Sequence, residues 1–434
     1  MTPLDYGRLL FAFTLAVHSL FLIVGVGLAL FISLAEYLGL RRKNEDYLRM
    51  ARTWSRGFVV LFAVGAGTGV SVAVELYLLW PTFMAVASGV IILPFFIEVF
   101  AFFVEAIFLG IYIYTWDRFA NPWRHWLASL PVAVASALSG FLITTVNAFM
   151  NTPAGFTLVG GQLTQVDPVA AMLNPGVPTE TFHVLVACYV GTAFMLAALY
   201  AWKRLRGNDS DYARRAFRLA LSVGLIAAIL AAIGGSLSAS FVAANQPEKF
   251  AAMEGLYVTQ ARASETFFGI TVPIPGLLSF LATGSFDGVV IGLDAFPSST
   301  WPNVALVHTA FNLVVTFGIV LILVAAATVL TDRVRRLGRL QRLSLYALVV
   351  AGPMAYTNFL LGWIVTEAGR QPWMIQDVMT VDQGFTATGD PVPALFAAFV
   401  IFYAALLALT VLVLRRLYAT PPREPRVFPG ASHG

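Results

Sequence analysis

The sequence predicts an all-α, polytopic membrane protein with nine transmembrane helices, its N-terminus outside and its C-terminus inside. Three observations predict this. Of the 434 residues 59% are hydrophobic and only 12% charged, whereas a soluble domain carries about 25% charged residues. Apolar runs that could cross a ~30 Å hydrocarbon core, roughly 20 residues each, recur nine times. Finally, 23 of the 27 lysines and arginines fall in alternate connections and the C-terminal tail.

In order, the runs occupy residues 9–38, 54–80, 90–116, 126–149, 181–202, 215–241, 303–331, 344–367 and 393–414. The first is too long for a cleavable leader and lacks a basic start. Basic clusters such as Arg41-Arg42-Lys43, Arg118 with Arg124, Lys203-Arg204 and Arg333 to Arg342 follow the first, third, fifth and seventh runs; the other side has Arg8, Lys249, Arg262 and Arg370. The preference of lysine and arginine for cytoplasmic loops sets the orientation. Because topology accounts for the basic charge, no nucleic-acid partner is expected. The one cysteine, Cys188, allows no intrachain disulfide. No internal repeat is evident. Residues 1–416 read as a single transmembrane domain. Within it, residues 242–302 form an extracytoplasmic loop long enough to have a function of its own. The Pro-rich residues 417–434 read as a disordered cytoplasmic tail.

Ionisable groups at membrane depth are costly and mark sites by default. His18 stands mid-run in LAVHSLFLI and His183 near the start of the fifth run in TFHVLVACY. Glu75 lies in VAVELYLLW, and Glu98 and Glu105 in FFIEVFAFFVEAIFLG. Each alone could make an ordinary interhelical hydrogen bond; two histidines and several acids in one bundle point to a cofactor or a proton path. His125 and His433 read as surface groups. Neutral imidazole at membrane depth suits haem iron, while a proton-coupled transporter stays open at this level. In the long loop, QPEKFAAMEGLY (246–257) offers Lys249 and Glu254 five residues apart. These are either an amphipathic surface pair or a cation and a base arranged around a quinol.

With RLLFAFTLAVHSLF, VEAIFLG, WDR (116–118), QPEKFAAMEGLY, GLDAFP (292–297) and WIVTEAGRQPW (363–373) in this order, the chain resembles subunit I of the cytochrome bd quinol oxidases over about residues 5–416. The resemblance implies a haem-containing subunit that oxidises quinol at the outer face and reduces dioxygen to water with cytoplasmic protons. It implies haem b, one low-spin and one high-spin, and haem d, and a second membrane subunit as partner, either subunit II-like or a subunit I-like companion. His18 and Glu367 match the ligands of the two high-spin haems, with Trp363 and Arg370 beside Glu367. His183 matches a ligand of the low-spin haem b. Glu98 and Glu105 match the acids of the third helix, with Ser139 and Asn147 lining the same region, and Lys249 and Glu254 match the quinol-loop pair.

Two departures stand out. ELYLLW lacks a glutamine that family members often carry there. Val314 occupies the place of the methionine that completes the low-spin haem, and valine cannot ligate iron. The sixth position is therefore expected to be empty or filled from another helix, with Met354 and Met195 as candidate donors. The alternatives are a diverged companion subunit that binds haem or quinol without reducing oxygen, and a proton-coupled transporter.

Overall fold

The computed structural model describes residues 1–268, 270–334, 338–385 and 391–419. Their helices are α1 (Pro3–Arg42), α2 (Glu45–Leu79), α3 (Pro81–Tyr114), α4 (Pro122–Asn151), α5 (Pro168–Met172), α6 (Val177–Leu205), α7 (Asp211–Asn245), α8 (Pro247–Glu254), α9 (Leu277–Thr283), α10 (Val304–Arg333), α11 (Gly338–Ala368), α12 (Val381–Gly384) and α13 (Pro391–Ala419). Among the described residues, nine helices are long and apolar enough to cross a membrane: α1–α4, α6, α7, α10, α11 and α13.

Most of these helices outrun the apolar stretches, because hydropathy marks only the lipid-facing centre while caps set the ends. Thr2 and Asp5 form a capping box ahead of Pro3. Asn121 caps α4 through the Trp123 amide, and Asn303 caps α10 through that of Leu306. Proline at the first helical position starts α3 nine residues before residue 90, since its fixed φ suits a first turn and its missing N–H is not needed there. The domain boundary read at residue 416 falls inside α13, and the tail from 420 onward, with His433, lies outside the described residues.

Helices pair along the sequence, α1 with α2, α3 with α4, α6 with α7 and α10 with α11. Helix α11 also packs on α6, and α1 bridges α4, α6 and α13. At the basic end, Asp332 on α10 receives Arg204 of α6 (3.0 Å) and Arg218 of α7 (2.8 Å). Trp54 of α2 donates to the Tyr200 hydroxyl of α6 at 3.1 Å. At the other end the connection after α11 folds back as a short hairpin, Trp373–Ile375 with Met379–Thr380, and hydrogen-bonds to the end of α4 through Gln376 N and Met150 O. The long loop carries α8 and α9. Its GLDAFP segment is structural: Asp294 Oδ1 accepts from the backbone N (2.9 Å) and the Oγ1 (2.7 Å) of Thr259.

Candidate haem and quinol sites

His18 on α1 faces α2. Its Nδ1 lies 2.9 Å from Thr68 Oγ1, and Thr68 itself donates to the Gly65 carbonyl at 3.0 Å. The Thr68 hydroxyl proton is thus committed, so its oxygen accepts from His18 Nδ1–H, and the lone pair sits on Nε2. A neutral imidazole locked in that tautomer is what a haem-iron ligand requires. A β-carbon at Gly69 would stand 3.3 Å from the ring, so glycine there lets α2 approach it. In the same interface, nearer the N-terminus of α1 and the C-terminus of α2, the fully buried Glu75 accepts from Thr14 at 2.5 Å.

Glu367 lies in the last turn of α11, and both of its carboxylate oxygens are engaged. Asn147 of α4 donates to Oε1 through a short hydrogen bond, and Arg370 donates to Oε2 at 2.5 Å. Arg370 is buried, gives a second short bond to the Met374 carbonyl, and has an Nε with no partner among the described residues. That orphaned donor beside a one-third-exposed carboxylate fits an anionic group such as a haem propionate. Trp363, one turn back on α11, packs on Phe359 with ring centroids 6.3 Å apart.

His183 packs on α7, where β-carbons at Gly234 and Gly235 would stand 3.2 and 3.4 Å from its ring, and the Ala231 backbone on that helix is within hydrogen-bonding reach of the imidazole. Two glycines against the imidazole leave room for a flat ligand. Val314 packs in a different apolar cluster, together with Met253 of α8. Neither methionine put forward as a donor is within reach. Met195 stands twelve residues along α6 from His183, about 18 Å at ~1.5 Å per residue. Met354 lies at the Met195 level, since Gly352 packs against Ala198 and Met195.

Between α3 and α4, Ser139 donates to Glu98 (2.7 Å) and Ser136 to Glu105 (2.5 Å). Asn147 is spent on Glu367, so the residues expected in one region form three successive stations along α4.

Lys249 and Glu254 point apart. Five residues place them ~140° apart around α8. Lys249 is buried and donates through Nζ to Asn151 Oδ1 at 2.9 Å; Asn151 Nδ2 donates to Asn147 Oδ1 at 3.0 Å, and Asn147 reaches Glu367. Burial pulls the Lys249 ammonium down to about 8, against the charge of Glu180, while Arg370 lowers it further. Glu254 instead lines a cleft of about 440 Å³ with Tyr257, Gln260, Ser264, Thr266 and His308. Burial raises its carboxyl well above the usual range, and the charge and hydrogen bond of Glu265 raise it further. His308 Nδ1 lies 2.8 Å from the Met253 carbonyl, which can only accept, so Nε2 is the acceptor nitrogen. Gly255, at φ 67°, ends α8 and leaves room for this ring, which a β-carbon would meet at 3.2 Å. The one-substrate pairing expected of Lys249 and Glu254 is thus replaced by two separate surroundings.

Several of these partners escaped the sequence reading: Thr68, Asn151, Glu180, Glu265 and His308. Glu180, three residues before His183, and Asn151, four after Asn147, had a helical-spacing signal; Glu265 and His308 meet only through the loop fold. His125, read as a surface group, is buried at 2% exposure, because the residue 115–121 turn folds over it.

The family described as "Cytochrome bd terminal oxidase subunit I" matches residues 6–422. A putative cytochrome bd menaquinol oxidase subunit I of Bacillus subtilis (strain 168) is 38% identical, over 97% of this chain and 98% of its own. A cytochrome bd ubiquinol oxidase subunit 1 of the same strain is 32% identical over 96% and 93%. The solved bd oxidase of Geobacillus thermodenitrificans superposes with a TM-score of 0.91 at 39% identity, covering 97% of this chain and 99% of that one. With nine helices long and apolar enough to cross a membrane among the described residues, and a match over nearly its whole length, this chain belongs to the cytochrome bd oxidase subunit I family, the haem-binding membrane quinol oxidases of bacterial respiration.

Proposed function

We propose that this chain is the quinol-oxidising, oxygen-reducing subunit of such an oxidase. It would pair with a second membrane subunit and stand with its basic face in the cytoplasm. The observation that carries the reading is the His18–Thr68 contact, which presents Nε2 as a ligand. His18 and Glu367 hold the two high-spin haems, one of them haem d, and His183 the low-spin haem b. When bound, these supply the iron that moves electrons and binds dioxygen.

The chain's own residues bind substrate and move protons. Quinol occupies the cleft beside Glu254, Glu265 and His308. A hydroxyl proton passes to the Glu254–Glu265 pair, which, sharing one proton, can take up another. Arg370, and Lys249 through Asn151, hold positive charge and hydrogen bonds around Glu367. Glu105 and Glu98 accept protons coming from the basic face and hold them at carboxylates fixed by Ser136 and Ser139. Release outside and uptake inside then charge the membrane without pumping.

A second reading, a companion subunit that binds haem without reducing oxygen, is favoured by Val314 alone. The test is quinol-driven oxygen consumption by the purified complex, with haem content measured on the same sample. Turnover with haem bound supports the oxidase; bound haem without oxygen uptake supports the companion.

A further inference from the structure

The mechanism above leaves a buried charged cluster at the basic end unused. His125, three residues into α4, is 2% exposed, Glu36 of α1 is 2% and Tyr112 of α3 is 1%. His125 Nδ1 lies 2.6 Å from Glu36 Oε1, and its Nε2 lies 2.9 Å from the Tyr112 carbonyl. Tyr112 Oη donates to Glu36 Oε2 at 2.7 Å. The ring stacks between Tyr112 and Trp116, with both centroids 4.5 Å away.

Proton counting sets what this cluster holds. A carbonyl only accepts, so Nε2 bears a hydrogen. The contact between Nδ1 and Glu36 then needs a proton of its own, carried on nitrogen as imidazolium or on oxygen as a carboxylic acid. Without it, a lone pair would face a carboxylate out of water. The pair therefore stores one proton more than neutral histidine plus carboxylate.

The store is aligned with Glu105. One turn deeper, Ser129 Oγ lies 2.9 Å from Ser33 Oγ. Tyr112 and Ser129 then line a small void of about 10 Å³, whose other walls include Leu109 and Val132; a void of ~10–15 Å³ is about the room one water needs. Leu109 stands one turn after Glu105 on α3, and Val132 one turn before Ser136, the partner of Glu105, on α4. We infer that His125, Glu36 and Tyr112 form a proton-loading station that feeds Glu105 from the basic face, a proposal that rests on the oxidase reading above. For release the Tyr112 hydroxyl turns its hydrogen from Glu36 Oε2 toward the void, the Glu36 carboxyl gives the stored proton to the Tyr112 oxygen as that hydroxyl proton leaves, and the proton crosses the void to the Glu105 carboxylate. The pair is left with one negative charge until bulk water beneath the 115–121 turn reloads it. The charged and titratable groups nearby are Arg52 and Asp117, paired at 2.9 Å above Trp116, and Tyr37, which accepts from Arg41 at 3.0 Å.

The test uses the purified oxidase complex carrying Glu36→Gln, His125→Gln or Glu36→Asp. Its readouts are quinol-driven turnover against pH and the infrared difference between oxidised and reduced enzyme. Glu36→Gln is expected to slow turnover by about 100-fold, the scale of a lost proton-transfer group, with haem absorbance unchanged. The loss should ease toward acidic pH, Glu36→Asp should recover most of it, and a carboxyl band of the wild type should vanish in Glu36→Gln. Wild-type turnover in Glu36→Gln at every pH would overturn the proposal. So would equal haem loss in Glu36→Gln and Glu36→Asp, which marks a structural clamp. A wild-type complex with no turnover would overturn the oxidase reading, and the infrared band would then decide the station alone: no change at Glu36 on haem reduction overturns it.

Discussion

Lys249 Nζ lies 2.9 Å from Asn151 Oδ1, so a residue of the long loop is tied to α4 and, through Asn147, to Glu367. Its position makes Lys249 a partner of the Glu367 site. Replacing it with Met is expected to perturb the haem held near Glu367 while changing the apparent affinity for quinol little. Optical spectra and quinol titration of the same preparation check this; a large rise in KM with unchanged spectra would put Lys249 back in the quinol cleft.

The Lys249 ammonium, held down to about 8 by burial, gives a pH signature. Below that value the lysine carries the positive charge that faces Glu180 and Glu367; above it the charge is lost. An alkaline transition near pH 8 is expected in the haem spectrum and should be absent in Lys249→Met. A transition of the same midpoint in the variant would assign it to another group.

Glu254 gives up its proton at higher pH than a free surface acid, because burial and Glu265 hold it on. Its proton-accepting form appears only above that raised value, so quinol oxidation should rise with pH through it. Glu265→Gln removes a neighbouring charge and should move the rise to more acidic pH. Glu254→Gln should lower kcat/KM for quinol by at least ~100-fold and spare oxygen reduction by a donor that bypasses the loop. Equal losses with both donors would contradict this.

Much of this architecture was legible from residues alone. Nine apolar runs and the sidedness of arginine and lysine prescribe the helices, and isolated intramembrane groups such as His18 and Glu367 announce themselves by their cost. What stayed hidden depends on direction. The spacing of Lys249 and Glu254 does not say which face of α8 each occupies, and their opposite orientations are fixed by α4 and α10. His125 looked exposed because it begins a helix beside a polar turn. Its burial depends on Glu36, eighty-nine residues away, and no local pattern contains that pairing. Met195 and Met354 were plausible donors by chemistry and fail on axial position.

Val314→Met introduces a thioether at the position that the resemblance assigns to the second ligand of the low-spin haem. The variant is expected to raise the potential of the haem on His183, since thioether ligation raises it, and to reduce its carbon monoxide binding. A wild type that already shows a six-coordinate His/Met haem would require a donor from elsewhere.

Asn147→Ala frees Glu367 Oε1 and breaks the chain to Lys249. Loss of a hydrogen-bonding partner behind a metal ligand typically costs ~10–100-fold in metal affinity. A loss of that order is expected for one haem, measured by titration of haem into depleted complex; unchanged affinity would make the bond incidental.

The central claim is that His18 and Glu367 hold the haems at which oxygen is reduced. It is tested most directly by quinol-driven oxygen consumption and carbon monoxide difference spectra of the purified complex, wild type against His18→Ala. The wild type is expected to consume oxygen. The variant should keep a quinol-reducible haem at His183, lose a carbon monoxide-binding haem and fall to background oxygen uptake. Wild-type haem content and oxygen uptake in His18→Ala would contradict it.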